Sequence, residues 1–77
     1  MPLNLYPNVH ASGAVPTGWV PLRGGTIKYS VNNPKVLSQL RTLRTGTWRK
    51  VIKHGAPGAI HFFERVSGHV ADVKYFP

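Results

Sequence analysis

Two glycine-bearing turns, Gly55-Ala56-Pro57-Gly58 and Ser67-Gly68, cut the stretch Gly46–Phe76 into three short runs rich in aromatic and β-branched residues. Runs of this kind between tight turns form strands joined as hairpins. A two-residue loop at Ser67-Gly68 sets the pairing of the second hairpin. It places Val66 opposite His69, Glu64 opposite Ala71, Phe62 opposite Val73 and Ile60 opposite Tyr75, all on one mostly apolar face. Side chains alternate along a strand, so the other face pairs Arg65 with Val70, Phe63 with Asp72 and His61 with Lys74. A GAPG loop that joins His54 to Ala59 brings Val51 beside Phe62 on the apolar face, with Arg49 opposite Glu64 as an ion pair. Trp48, Lys50, Ile52 and His54 then join the second face, and a slip by one residue would reverse every assignment on Thr47–His54.

Upstream, Thr26–Val31 alternates Ile27, Tyr29 and Val31 against Lys28 and Ser30, the pattern of a half-buried strand. Asn33-Pro34 is a helix start, an N-cap followed by proline at the first helical position. Val36, Leu37, Leu40 and Leu43 recur at helical spacing, and Gly46 is a stop signal. The helix spans about 34–44, with Arg41 and Arg44 in its last turns, where cations suit the dipole. Residues 1–25 hold four of the seven prolines and four of the eight glycines and have no sustained period. They read as an extended arm touching the core through Leu3, Leu5, Tyr6, Val15, Trp19 and Leu22; His10 reads as a solvated loop residue. The order arm, strand, helix, three-stranded meander over 26–77 is α+β. The helix is expected to cover the apolar face of the sheet.

A chain of 77 residues makes one small domain, of the size that is marginally stable alone. It has no cysteine, which excludes a disulfide framework and thiolate chemistry. No apolar run approaches the roughly 18 residues of a membrane span, and the N-terminus lacks a signal-peptide pattern. Ten Lys and Arg stand against two acids, Glu64 and Asp72, for a net charge of +8. Such an excess points to a polyanionic partner, and two acids are too few for a two-metal nuclease site.

The basic residues concentrate at Arg41, Arg44, Arg49, Lys50 and Lys53, with Trp48 among them. Arg and Lys meet phosphates, and an unstacked base lies on an aromatic ring; Trp48 is equally readable as a core residue that opens a strand. His54 and His61 flank the GAPG turn on one face, and His61 lies opposite Lys74. Histidine is the general acid or base near neutral pH. RNA cleavage by its own 2′-hydroxyl needs a base, an acid and cations for the charge that builds on phosphorus. His61 and His54 suit the first two tasks, and Lys74, Arg65 and Lys50 the third. No cofactor is expected. Zinc on His54 and His61 would need a third ligand, for which Asp72 is the one neighbour. Asp72 is otherwise expected to hold Lys50 or Arg65 in place. Tyr75 reads as buried and His69 as exposed.

The helix followed by Gly46, Trp48, Arg49, Ile52, a His-bearing strand and the terminal Val73-Lys74-Tyr75-Phe76 resembles the RelE-like toxins. It is also similar to colicin-D-like tRNA nucleases among the C-terminal domains of contact-dependent inhibition and polymorphic toxin systems. Both sit in the barnase–EndoU–colicin–RelE group of metal-independent ribonucleases. The resemblance covers about 33–77. Where RelE-like enzymes carry an arginine before the hydrophobic strand, this chain has Ala59 or Ile60; where some end in a His-Tyr pair, it has Tyr75-Phe76. What the resemblance implies is a phosphate contact at Lys74, a catalytic place for His61, and RNA (above all tRNA) as substrate. It further implies action in the cytoplasm of a target cell as part of a larger secreted protein, and a small acidic immunity or antitoxin protein that blocks the basic face. The composition alone equally accommodates a non-enzymatic nucleic-acid-binding module or a basic docking domain for an acidic protein.

Overall fold

In the computed structural model, which describes residues 3–77, one helix and five antiparallel strands make an α+β fold. β1 is Leu5–Tyr6, β2 Val20–Ser30, α1 Pro34–Leu43, β3 Trp48–Ala56, β4 Ala59–Arg65 and β5 Val70–Phe76. The sheet order is β1-β5-β4-β3-β2. The meander β3-β4-β5 is present, extended by β2 on one side and β1 on the other. A short 3-10 turn, His10–Ser12, lies between β1 and β2.

The β3–β4 hairpin has the expected pairing, with His54 opposite Ala59, Val51 opposite Phe62 and Arg49 opposite Glu64. Its turn closes through Gly55 N–H donating to the Gly58 carbonyl at 2.9 Å. The β4–β5 hairpin departs from expectation. Its loop has three residues, Val66-Ser67-Gly68, closed by Arg65 N–H to the His69 carbonyl and Gly68 N–H to the Arg65 carbonyl. Gly68 has φ 97°, the left-handed residue such a loop needs. Glu64 therefore pairs with Val70 and Phe63 with Ala71, whereas His61 still meets Lys74 and Ile60 still meets Tyr75. A bulge absorbs the difference: β5 uses one residue more than β4 between these points, and Asp72 sits in it at φ 52°. Bulges bend and twist the strand that carries them. This one turns Val70 to the side expected for Ala71, and Ala71 to the side expected for Val70.

Each face of the sheet has its own apolar cluster. On one, Val51, Ile60, Phe62 and Val70 are buried with Trp19, and Tyr6, Val9, Val15, Val73 and Tyr75 pack around them. The cover expected from the helix is thus supplied by the arm. Trp19 donates its indole N–H to the Gly58 carbonyl at 3.1 Å. It lies against Gly55, where any Cβ would collide with its ring. On the other face Leu40 is fully buried with Trp48 and Ala71, joined by Leu3, Leu5, Val31, Val36, Leu37, Leu43 and Phe63. The correction has a simple physical reason. Trp48, Phe63 and Ala71 make the second face apolar at one end, so both faces need cover, and the aperiodic arm takes one of them. Leu22, expected in the arm, lies instead in β2, which begins at Val20 rather than Thr26, and it stays exposed.

The helix begins as expected. The Asn33 side-chain oxygen accepts from Lys35 N–H at 3.0 Å and Val36 N–H at 3.4 Å, with Pro34 behind it. This satisfies donors that a helix start leaves open. At the other end the Trp48 indole N–H donates to the Arg44 carbonyl at 2.9 Å.

Candidate nucleic-acid interface

Alternation along β3 and β4 puts Lys50, Ile52, His54, His61 and Phe63 on the face that Trp48 opens. At the Trp48 end this face is closed by the helix cluster. At the other end it is open, and a hollow of about 290 Å³ is lined there by Lys50, His61, Phe63, Asp72, Lys74 and Phe76, with Val36 and Gln39 from the helix. Of the five residues expected to do chemistry, His61 and Lys74 are cross-strand partners. His54 lies on the same face, exposed, two pairs nearer the turn.

The His61 imidazole titrates below its ordinary 6.5, mainly because burial disfavours its charged form, and then because of the charges of Lys50 and His54. It is therefore neutral at pH 7. Its ring lies 4.4 Å from that of Phe76, centroid to centroid, tilted by 54°. The Lys50 ammonium sits 5.7 Å from the Phe63 ring centre, a cation–π contact. Lys74 is mostly exposed, and its ammonium is 3.8 Å from Asp72. The bulge brings that carboxylate to Lys74 rather than to Lys50 or Arg65.

Arg65 belongs elsewhere. It pairs with Trp48, at the far end of β4 from His61. Its Nε–H donates to the Thr45 carbonyl, and its guanidinium lies against Gly46. It braces the connection from helix to β3 instead of sharing a phosphate with His61. Trp48 is 3% exposed and spends its N–H on Arg44, so it is a core residue and offers no ring to a base. Lys53 pairs with Ile60, which is buried in the arm-side cluster, and so projects from the opposite face to Lys50. Arg41 and Arg44 are exposed at the end of the helix; the Arg41 Nε–H reaches the Gly46 carbonyl at 3.5 Å.

The expected Arg49–Glu64 ion pair is replaced. Glu64 accepts from Lys28 of β2 at 3.2 Å, because the neighbouring strand brings an ammonium to the same surface. Arg49, Lys28, Glu64 and Arg65 border a second depression near the β4–β5 loop. His69 is half-buried, and its Nδ1 is 2.8 Å from the Ser67 hydroxyl oxygen. Among the described residues no group of His, Asp and Glu converges to hold a metal ion, and no helix is long and apolar enough to cross a membrane.

The sequence reading missed Phe76, Val36 and Gln39. Phe76 was legible: the expected register sets it opposite Ala59, next to His61. The helix residues were not, because the helix was assigned to the other face. No known protein family, curated protein or solved structure matches the chain.

Proposed function

We propose that this domain is a metal-independent endoribonuclease of the toxin type, acting on tRNA or another cellular RNA. The observation that carries the reading is a single one. The His61 imidazole lines one open hollow together with Lys50 and Lys74, in a domain with net charge +8. In this reading RNA lies along the face with a phosphate between the lysines. His61 takes the proton of the 2′-hydroxyl, the 2′-oxygen bonds to phosphorus, and the bond from phosphorus to the 5′-oxygen breaks. His54 gives a proton to the departing 5′-oxygen. The products are a 2′,3′-cyclic phosphate and a free 5′-hydroxyl. Lys50 and Lys74 offset the charge on the pentacoordinate phosphorus. The assignment is in line with the resemblance of residues 33–77 to RelE-like and colicin-D-like domains read from the sequence. With it come an acidic immunity or antitoxin protein covering this face and action in a target cell's cytoplasm.

The test is incubation of the pure protein with total tRNA in EDTA. Cleavage by the native chain and its loss in His61→Ala bear the proposal out; intact tRNA, or full cleavage by His61→Ala, defeats it.

A second reading draws on two contacts. Asp72 partly neutralises Lys74, and Arg65 is committed to Thr45. A binding module that holds nucleic acid without cutting it would need neither group free. It gives salt-sensitive binding and no product. Retention by an acidic protein with no RNA binding at low salt would instead identify a protein-docking domain.

A further inference from the structure

We infer that the hollow beside His61 is a subsite for one unstacked nucleobase, with Phe76 as the ring on which the base lies. The inference rests on the reading of this face as a nucleic-acid surface and adds what part of the polymer it grips. A phosphate site needs only cations and donors. This hollow also has an apolar wall made of Val36, Phe63 and Phe76, about 290 Å³ in all. An apolar recess next to phosphate-binding cations is how single strands are held, with bases on aromatic rings and the backbone on Lys and Arg.

The aromatic residues of the region sort themselves by availability. Trp48 and Phe62 are 3% and 2% exposed and cannot receive a base. Phe63 already has the Lys50 ammonium over its ring. Phe76 is 47% exposed. Its inner side is set by the tilted contact with His61, which fixes the ring without stacking on it. Gln39 enters from the helix. Its amide carries both donors and an acceptor, the equipment for reading a base edge. The ring that grips the base is therefore next to the imidazole, so a base seated on Phe76 sets which neighbouring phosphate lies between Lys50 and Lys74.

The experiment measures binding of the full chain to a DNA oligonucleotide of thymidines and to the same oligonucleotide with abasic sites. Neither has a 2′-hydroxyl, so neither can be cut and the result is independent of catalysis. The native chain is expected to bind the base-bearing strand more tightly than the abasic one. Phe76→Ala is expected to lose about tenfold on the base-bearing strand, the size of one base–aromatic stack, and little on the abasic strand. Phe76→Tyr, which keeps a ring, restores the difference. Equal affinity of the native chain for both strands overturns the inference, as does an equal loss on both strands in Phe76→Ala. A chain that cleaves tRNA yet shows no base dependence leaves the ribonuclease reading standing and removes this one. A chain that is base-dependent but leaves tRNA intact does the reverse.

Discussion

His61 and Lys74 face each other across β4 and β5, and both line the same hollow. The pair lies just beyond the bulge that shifts the rest of β5. The register on which the proposed chemistry depends is therefore held by the β3–β4 turn side of the sheet, not by the Ser67-Gly68 loop.

If His61 is the base, cleavage depends on its neutral form. Its titration point is below 6.5, so the acidic limb of kcat/KM against pH should reach half-height below pH 6.5. His61→Gln should lose on the order of 10²–10⁴-fold in rate while keeping the native circular dichroism spectrum. A limb centred above pH 7 would assign the base to another group.

The same shift links stability to pH. His61 binds a proton less readily folded than unfolded, so above both titration points it contributes no pH dependence. As pH falls through 6.5 the unfolded chain takes up the proton first, and stability drops until the folded-state titration point is passed. Urea midpoints measured from pH 7.5 to 5 should fall in the native chain and fall less in His61→Gln. Parallel curves would contradict the shift.

Asp72 is the one non-glycine with positive φ among the described residues, at 52°, and its carboxylate lies by Lys74. Asp72→Asn suits that backbone and removes the charge. RNA affinity is expected to rise about two- to fivefold, as for one exposed ion pair, with stability nearly unchanged. Asp72→Val, which suits a left-handed residue poorly, should cost about 1–2 kcal/mol by urea denaturation.

Gly55 has no room for a side chain under Trp19. Gly55→Ala should destabilise by about 1–3 kcal/mol, the cost of overpacking a tight site, and Trp19→Ala by about 3–5 kcal/mol. Both are read by thermal or urea unfolding. A neutral Trp19→Ala would mean that the arm does not complete the core.

Trp48→Phe separates the two roles open to this residue in the sequence. It loses the indole bond to Arg44 and should cost about 1 kcal/mol. RNA affinity at a temperature where the variant is folded should be unchanged. A selective loss of RNA binding would restore Trp48 as a surface ring.

The central hairpin was readable because its turn chemistry and alternation agree: Gly55–Gly58 closes where expected, and Val51, Phe62 and Ile60 share a side. The helix was readable from Asn33-Pro34 and the spacing of Val36, Leu37, Leu40 and Leu43. The swap of Val70 and Ala71 was not, since Ser67-Gly68 fits a two-residue and a three-residue loop equally and Asp72 gives no sign of a bulge. The covering of each face was also hidden. Trp48, Phe63 and Ala71 look interspersed among charges in the chain, and the arm's contacts through Trp19, Val9 and Val15 have no period to betray them. In the candidate site the cross-strand pair His61–Lys74 was readable from register alone. The loss of Arg65 and Trp48 to structural duties depended on backbone carbonyls at Thr45 and Arg44, which no side-chain pattern announces.

Leu5 and Tyr6 are adjacent in β1, yet one joins the Leu40–Trp48 cluster and the other the Trp19–Phe62 cluster. A strand of two residues thus works as a rivet through the sheet, gripping both layers where β1 pairs with Val70 and Ala71 of β5. Shortening the chain from its front end past Tyr6 would loosen the two layers together, so the Val70–Ala71 end of β5 is anchored by residues from the opposite end of the sequence.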